Sequence, residues 1–387
     1  MSNTVVTHRR SFASLALATV ATLALVSGAV AAPPSWTAPI VIRNANNLVL
    51  NDADFSGRNV AIAWEEPDSP SEVGIRTSTN RGSSFGPISW FGGSREAAVD
   101  ICGGAELNAV MAHRIGPDNW FIEHAVGSID GTGFLTTPVS PTDGNQNNPD
   151  VACAGGSVFV SWFENEGSGD RMFVAHARRT GGGFSMPFDL GFDEETFFGS
   201  SLAVAGADNM AYGVFTRSGG DLRLRRWSVG DGPGFAVTAL PGQVIGPGTP
   251  NNSANYAVIA AAGSKVAVSW MTCSAVVARV SNDHGQTWGP IRTLIEHAAC
   301  GGDFIAVQNS IAIRGDRIAV AYGAAGIVGD GEVGLIRTNN DFASFSDDMI
   351  APKFHPGHLV GYLTVGGKVK LGAAFERPDV VRFRRQL

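Results

Sequence analysis

The chain of 387 residues has little charge, few cysteines and no cluster of basic residues. Only 16% of its residues are charged, and its formal net charge is −7. The basic stretch "RFRRQL" at the C-terminus is too short to hold a nucleic-acid backbone, so we expect no nucleic-acid partner. Beyond the N-terminal region no segment is long and apolar enough to cross a bilayer, so we expect no membrane span in the mature protein.

The N-terminus has the pattern of a secretory signal peptide. A basic "THRR" precedes the apolar "FASLALATVATLALVSGAV" and the small-residue stretch "AVAA". Cleavage after Ala31 is predicted because Pro33 would be a poor residue directly after a cut, and an uncleaved membrane anchor is the alternative. We therefore expect a signal peptide over residues 1–31, a single domain over residues 32–387, and a secreted or periplasmic protein.

A short turn motif recurs along the chain. The window "SNDHGQTW" (281–288) aligns with "STNRGSSF" (78–85) and "TNNDFASF" (338–345). Three weaker copies keep a Gly at the fifth place and an aromatic residue at the eighth. The aromatic residues of all copies stand at positions 85, 134, 184, 235, 288 and 345, which are 49 to 57 residues apart. A period of this length indicates a repeat architecture.

A second marker has the same period. Short runs of alternating apolar and β-branched residues, such as "NVAIAW" and "KVAVSW", end in a bulky residue. These residues are Trp64, His113, Trp162, Phe215, Trp270, Tyr322 and Phe375. Period-2 alternation bounded by Gly and Asn is typical of strands. Each unit of about 50 residues therefore holds about four short strands, the size of a propeller blade.

These markers predict an all-β fold, a seven-bladed β-propeller. The last repeat ends with "DVVRFRRQL" and leaves no chain for its outer strand, whereas "APIVIR" (38–43) offers one. The N-terminal strand is therefore expected to join the last blade and close the ring. Six blades are the alternative, if the unit anchored by His113 belongs to another blade.

The window "SNDHGQTW" resembles the Asp-box (S-x-D-x-G-x-T-W), also called the BNR repeat, of sialidase-like propellers. Such propellers include sialidases, other glycosidases, lyase-like enzymes, receptors and assembly factors, so the resemblance implies a fold rather than an activity. The segment "GYLTVGGKVKLGAAFERPDVVRFRR" is similar to the closing blade of sialidases. That likeness implies Tyr362 as the catalytic nucleophile and Glu376 beside it. The Arg-Ile-Pro motif of sialidases is absent, and "NANNLVL" takes its place.

Polar residues around the predicted ring are expected at one face, where the D-to-A and B-to-C connections rim a central funnel. We expect ligand binding there from Asn47, Glu66, Asp100, Asn148, Asp150, Glu164, Arg217, Tyr256, Asn309, His358 and Arg377. The structural alternative is that the Asn and Asp residues cap turns and the charged residues are solvated strand ends.

Four cysteines in an exported chain, with no CxxC pair, favour disulfides over a metal site. Cys102 and Cys153 occupy equivalent ends of adjacent inner strands, and Cys273 and Cys300 lie on one loop-bearing face. The predicted pairs are Cys102–Cys153 and Cys273–Cys300. No cofactor is expected, although the oxygen-rich "SPTDGNQNNPD" (140–150) is a candidate for Ca²⁺.

The sequence therefore predicts an exported propeller that recognises a glycan, a polysaccharide or a similar polar ligand in its funnel. One alternative is a carbohydrate-active enzyme on the same scaffold, either a sialidase-like glycosidase or a polysaccharide lyase. Another is a scaffold that binds a protein of the cell envelope. Turnover of a polysaccharide would identify the enzyme, and binding without turnover would identify the lectin.

Overall fold

A computed structural model of the chain describes residues 36–68, 71–116, 119–140, 144–165, 170–179, 183–193, 202–216, 221–230, 237–246, 255–272, 275–296, 304–326, 331–354, 358–365, 368–377 and 380–387. The predicted signal peptide lies outside these residues. The regular elements of the described residues are β-strands. In chain order they are β1 (Ile40–Asn44), β2 (Val49–Ser56), β3 (Asn59–Glu66), β4 (Glu72–Ser78), β5 (Ile88–Gly92), β6 (Ser94–Cys102), β7 (Glu106–Gly116), β8 (Asn119–Ser128), β9 (Leu135–Pro138), β10 (Asn145–Ala154), β11 (Ser157–Asn165), β12 (Asp170–Arg178), β13 (Phe188–Asp193), β14 (Leu202–Ala207), β15 (Met210–Thr216), β16 (Leu222–Val229), β17 (Val237–Gly246), β18 (Asn255–Ala262), β19 (Lys265–Thr272), β20 (Ala275–Ser281), β21 (Arg292–Glu296), β22 (Phe304–Arg314), β23 (Arg317–Gly326), β24 (Gly331–Thr338), β25 (Ser346–Phe354), β26 (His358–Val365), β27 (Lys368–Arg377) and β28 (Val380–Arg385).

The strands form sheets in a propeller arrangement, and their pairings are antiparallel except for one between β8 and β10. Five sheets have four strands each, in the orders β1-β28-β27-β26, β2-β3-β4-β5, β14-β15-β16-β17, β18-β19-β20-β21 and β22-β23-β24-β25. A further sheet has eight strands, in the order β13-β12-β11-β10-β8-β7-β6 with β9 paired to β8. Strands β2, β6, β10, β14, β18, β22 and β26, which we call the inner strands, contact one another in a closed series.

The predicted number of blades is wrong. Within the described part of the chain there are five separate four-stranded blades, not seven or the alternative six, and β6 to β13 form one continuous sheet. The joint is a parallel pairing of Asn145 in β10 with Trp120 in β8. The amide of Trp120 donates a hydrogen bond to the carbonyl oxygen of Gly144, at 3.2 Å. This pairing occurs because the start of β10 runs beside the start of β8, which a repeat period does not reveal.

The two chain ends share one sheet. Strand β1 pairs antiparallel with β28, so that Ile40 lies opposite Phe383 and Asn44 opposite Val380. This pairing places the N-terminal strand where the sequence predicts it. It gives β28 a hydrogen-bonding partner on an edge that would otherwise be open.

The core lies between neighbouring sheets. Trp64, Trp162 and Trp270 have 0%, 0% and 2% of their surface exposed, and each belongs to a separate cluster of buried residues that spans several strands. These are three of the predicted strand-end anchors, and they occupy equivalent buried environments. Strands β3 and β19 are buried at consecutive positions, because both faces of each sheet pack against a neighbour.

The recurring turn is held by one side chain. The carboxylate of Asp283 accepts hydrogen bonds from the amide of Thr287 at 2.8 Å and from its hydroxyl at 2.5 Å. The Thr287 hydroxyl contributes most to holding the pKa of Asp283 below its usual value. In the copies at 78–85 and 338–345, the side-chain oxygens of Asn80 and Asn340 accept from the amides of the residues four positions later, at 3.0 and 3.1 Å. This hydrogen-bonding geometry explains the recurrence of the motif without catalysis.

Candidate functional site

Every inner strand except β10 is an edge strand of its sheet, and β10 pairs with β8 only at Asn145, so backbone amides on the axial edges need other acceptors. Two aspartates of β2 supply them to β6. A carboxylate oxygen of Asp52 accepts from the amide of Val99 at 2.7 Å, and one of Asp54 accepts from the amide of Ile101 at 2.8 Å. The alternating residues of β2 therefore fasten it to the next inner strand.

Aspartates of the next inner strands make the same kind of hydrogen bond to a backbone amide of the strand that follows. A carboxylate oxygen of Asp100 in β6 accepts from the amide of Cys153 in β10, at 2.6 Å. One of Asp150 in β10 accepts from the amide of Val204 in β14, at 2.8 Å. Four inner strands are thus linked by aspartate side chains. We call Asp52, Asp54, Asp100 and Asp150 the axial aspartates.

The axial aspartates line a cavity of about 580 Å³ between the inner strands. The cavity reaches from Asp52 and Asn309 to Gly57 and Arg314, at the ends of the inner-strand hairpins. Its remaining lining comes from short stretches of β2, β6, β10, β14, β18 and β22, and from Gly361 in β26. The axial aspartates are half-buried. A cavity of this size and shape falls in the range of small-molecule sites.

The electrostatics of the cavity are acidic. Burial, with the nearby Asp150 carboxylate as a second cause, raises the pKa of Asp52 to about 8. Burial also raises the pKa of Asp150 to about 6. It raises the pKa values of Asp54 and Asp100 as well, and the charge of Asp54 adds to the effect on Asp100. Arg314 is the only cationic residue on the described lining.

Cys102 and Cys153 form a disulfide, as predicted, with their Cα atoms 5.8 Å apart. It ties β6 to β10 beside Asp100. Among the described residues, the only group of acidic, His and Cys side chains close enough to hold a metal consists of Asp100 and these two cysteines. Sulfur atoms bonded to each other are not thiolate ligands, so this group does not fit a metal.

The other predicted disulfide, Cys273–Cys300, falls outside the described residues and stays a prediction. The predicted calcium loop at 140–150 also lies partly outside them, at 141–143. The calcium prediction therefore stays a prediction too.

Asn309 is a predicted site residue that does line the cavity. It is 6% exposed, and its side-chain amide donates to the hydroxyl of Ser269 at 3.1 Å. The side chain therefore links β22 to β19 of the neighbouring blade. Its contact with Ser269 favours a packing role over a ligand contact.

Glu66 forms a fixed ion pair away from the cavity. Its carboxylate accepts from the guanidinium of Arg43 at 2.7 and 3.2 Å, and Arg43 stacks over the ring of Trp90, with its guanidinium carbon 5.2 Å from the ring centroid. The Trp64 indole also donates to Glu66, at 3.4 Å. These contacts occupy the carboxylate, so the structural alternative describes Glu66 better than ligand binding does.

Two predicted residues lie in bulges at the starts of inner strands. Asn148 and Tyr256 have φ angles of 46° and 49°, and Glu96 takes the same left-handed conformation in β6 with φ of 52°. The register of β6, β10 and β18 shifts at these residues. The carboxylate of Glu96 accepts from the amide of Asn148 at 2.7 Å, which joins two of the bulges. Non-glycine residues with positive φ are costly and cluster at functional sites.

The remaining described candidates make local contacts. Asn47 donates to the carboxylate of Asp68 at 3.5 Å, and Glu164 accepts from the side-chain amide of Gln146 at 3.5 Å. Neither borders the cavity, and neither do Glu66, Asn148 and Tyr256. Of the predicted ligand-binding residues, the cavity brings together Asp100, Asp150 and Asn309.

The side chains of five candidates lie outside the described part of the structure. Tyr362 and His358 are in β26, and Glu376 and Arg377 are in β27, but only their backbones are described. Arg217 lies outside the described residues. Backbone pairing places β26 and β27 side by side, with Tyr362 opposite Leu371. The predicted catalytic roles of Tyr362 and Glu376 stay predictions.

Sequence reasoning missed Asp52 and Asp54. Their signal is the alternation of Asp in "NDADF", inside a strand whose two faces should both be buried. Asp100 and Asp150 likewise lie within inner strands, in "AVDIC" and "NPDVAC", and were recognised only as residues near strand starts. Carboxylates at buried strand positions need partners, and here the neighbouring strand edge provides them.

Together, the sheet order and the closed series of inner strands define the class of protein, an all-β β-propeller. No family model and no curated protein matches the chain. Within the described residues, no helix has the length and apolar character of a membrane span.

Solved structures similar to the chain include sialidases and a lectin. The Trypanosoma rangeli sialidase in complex with the inhibitor DANA has 11% sequence identity and a TM-score of 0.44, covering 91% of this chain and 60% of that one. The fucose-specific lectin from Aleuria aurantia has 10% identity and a TM-score of 0.47, covering 81% and 99%. The β-propeller domain of the Trilobed protease from Pyrococcus furiosus has 10% identity and a TM-score of 0.48, covering 88% and 95%. The chain spans less than two thirds of the sialidase structure, and identities this low establish no shared ligand or activity.

Proposed function

We propose that this protein is an exported glycan-binding propeller that holds a neutral, hydroxyl-rich ligand in its axial cavity. The observation that carries the proposal is the cavity of about 580 Å³ lined by the axial aspartates. Carboxyl groups accept hydrogen bonds from hydroxyl groups, and sites for small polar ligands place a few such groups in a concave pocket. The disulfide between Cys102 and Cys153 supports export, because disulfides persist in oxidising compartments.

The charge of the cavity argues for a neutral sugar over an anionic one. A site that grips a sugar carboxylate needs fixed guanidinium groups. The described lining has four aspartates and one arginine, Arg314. An anionic ligand such as sialic acid would meet repulsion from every ionised aspartate.

A carbohydrate-active enzyme on the same scaffold is the second candidate. Gly361 borders the cavity and directly precedes Tyr362, the residue in the place of the sialidase nucleophile. A glycosidase or polysaccharide lyase that uses Tyr362 would release product from a polysaccharide, and Tyr362→Phe would abolish the release.

Binding to a panel of neutral and acidic oligosaccharides tests the proposal. Ala260 lines the cavity and is half-buried, so Ala260→Phe should fill part of the cavity and weaken binding at least tenfold. Ala343→Phe is the matched control, because Ala343 is exposed in the turn at 338–345 and should leave binding unchanged. No binding by the folded wild-type protein, or equal binding by the two variants, would refute the axial site. Product release that Tyr362→Phe abolishes would favour the enzyme.

A further inference from the structure

The disulfide between Cys102 and Cys153 lies against an aspartate side chain. The two sulfur atoms and a carboxylate oxygen of Asp100 all lie within 4.8 Å of one another. Ligand atoms of a tetrahedral Zn²⁺ ion, bound at about 2.0 to 2.3 Å, are about 3.3 to 3.8 Å apart, so small side-chain rotations bring these three atoms to one ion. The intact disulfide excludes the metal because its sulfur atoms are not thiolates. Reduction of the bond removes this obstacle.

The three side chains are held together by the backbone as well as by the disulfide. Asp100 and Cys102 are two residues apart in β6, in a stretch with regular register, so their side chains share one face of the strand. Cys153 in β10 is tied to β6 by its amide, which donates to the carboxylate of Asp100 at 2.6 Å. This hydrogen bond does not depend on the S–S bond, so it keeps the ligands close together after reduction.

A buried side-chain amide donates to one of the two sulfur atoms. Nδ2 of Asn108 in β7 donates to Sγ of Cys102 at 2.9 Å and to a carboxylate oxygen of Glu106 at 3.0 Å. Oδ1 of Asn108 lies 2.8 Å from Nε2 of His124, so contacts at both ends fix the amide. Hydrogen bonds to charged acceptors are stronger than those to neutral ones, so Asn108 favours the thiolate of Cys102 over its disulfide or thiol. Such second contacts also orient metal ligands.

The group borders the axial cavity. Cys102 is 2% exposed, whereas Cys153 and Asp100 are half-buried. Asp100 lines the cavity, together with Ile101 and Ala152, which directly precede the two cysteines. A small reductant or a metal ion therefore has a route to the group. A water molecule from the cavity would supply the fourth ligand of a tetrahedral ion, since the chain supplies three.

We propose that Asp100, Cys102 and Cys153 form a redox-gated metal site, which binds Zn²⁺ when the disulfide is reduced and releases it when the disulfide forms again. Two thiolates and a carboxylate are ligands that Zn²⁺ prefers. Two molecules of a small thiol deliver two electrons and two protons to the S–S bond and become a disulfide themselves. Zn²⁺ then displaces the two cysteine protons. The reverse exchange, with a small disulfide as oxidant, restores the Cys102–Cys153 bond and frees the ion.

The site is independent of the proposed sugar ligand, and its test is titration of the full chain with Zn²⁺ alone. Cys273 and Cys300 are first replaced by Ser, because reduction would otherwise expose their thiols too. After reduction with a phosphine, we expect a single Zn²⁺ ion per chain, and no such binding by the oxidised protein. Asp100→Asn keeps an acceptor for the same backbone amide but removes the charged ligand, so Zn²⁺ affinity should decrease at least about tenfold. Asp189→Asn is the control, because Asp189 is paired with Arg171 on the surface and should leave the affinity unchanged.

Three results would overturn the site. They are equal Zn²⁺ binding by the oxidised and reduced proteins, no binding by the reduced protein, and an Asp100→Asn variant that binds as tightly as its parent. If reduction unfolds the chain, Zn²⁺ is expected to restore the native circular dichroism spectrum, because metal binding then contributes to folding. A spectrum that stays unfolded would equally overturn the site. With Co²⁺ in place of Zn²⁺, the reduced protein should show thiolate-to-cobalt charge-transfer absorption, and its absence would exclude thiolate ligation.

Discussion

The disulfide between Cys102 and Cys153 offers a direct test of how the inner strands are arranged. It joins residues separated by 51 positions, from the end of β6 to the end of β10. In the chain-entropy account, closing a loop of this length restricts the unfolded chain by about 4 kcal/mol at 25 °C. Measured effects are commonly somewhat smaller, so we expect the Cys102→Ala/Cys153→Ala variant to lose about 2 to 4 kcal/mol.

The assay is denaturant unfolding of the double variant beside wild type, both without reductant. Cys273 and Cys300 are unchanged in both proteins, so the difference reports the Cys102–Cys153 pair alone. Mass mapping of a non-reduced digest should find Cys102 joined to Cys153. A loss of stability below about 0.5 kcal/mol, or a digest in which Cys102 is joined to Cys273, would refute the placement of β6 beside β10.

Further predictions concern packing between the sheets. Trp64 is fully buried whereas Trp90 is 41% exposed, so Trp64→Ala should lower the free energy of unfolding by about 3 to 5 kcal/mol and Trp90→Ala by much less. Equal losses in chemical unfolding would contradict the burial of Trp64. A Cβ atom on Gly334 would lie 2.0 Å from the ring of Tyr322, so Gly334→Ala should cost about 1 to 3 kcal/mol by overpacking. At Gly57, where φ is 63°, an added Cβ atom meets nothing within 4 Å, so Gly57→Ala introduces backbone strain alone. A larger loss of unfolding free energy for Gly57→Ala than for Gly334→Ala would contradict the close contact of Gly334 with Tyr322.

Much of the fold could be predicted because the recurring turn motif and the recurring strand-end anchors in the sequence mark recurring turns and strands in the structure. The runs ending in Trp64, Trp162 and Trp270 correspond to strands buried on both faces. The chain ends pair as predicted from the missing outer strand of the last repeat. The number of blades could not be predicted in this way. A single parallel pairing, of Asn145 with Trp120, joins two groups of strands that the sequence repeat assigns to separate blades. This pairing depends on the path of the segment that leads into β10, which the repeat does not specify.

The candidate site was predicted less well than the fold. Asp100 and Asp150 were selected as residues near the starts of inner strands, but their structural role is to bond the next strand edge. Asp52 and Asp54 were missed because candidates were sought at the starts of inner strands and in the connections that rim the funnel. Bulges such as the one at Asn148 shift the strand register, and this shift decides which side chains reach the axis. Alternation in the sequence does not reveal a bulge.

The central claim is that a polar ligand binds at the axis, among the aspartates of successive inner strands. A crystal structure with a neutral oligosaccharide that binds in solution tests it most directly. We predict ligand density inside the cavity, with sugar hydroxyl groups within hydrogen-bonding distance of Asp52 or Asp150. Density only on the outer surface of the sheets, with the axial cavity free of ligand, would contradict the claim.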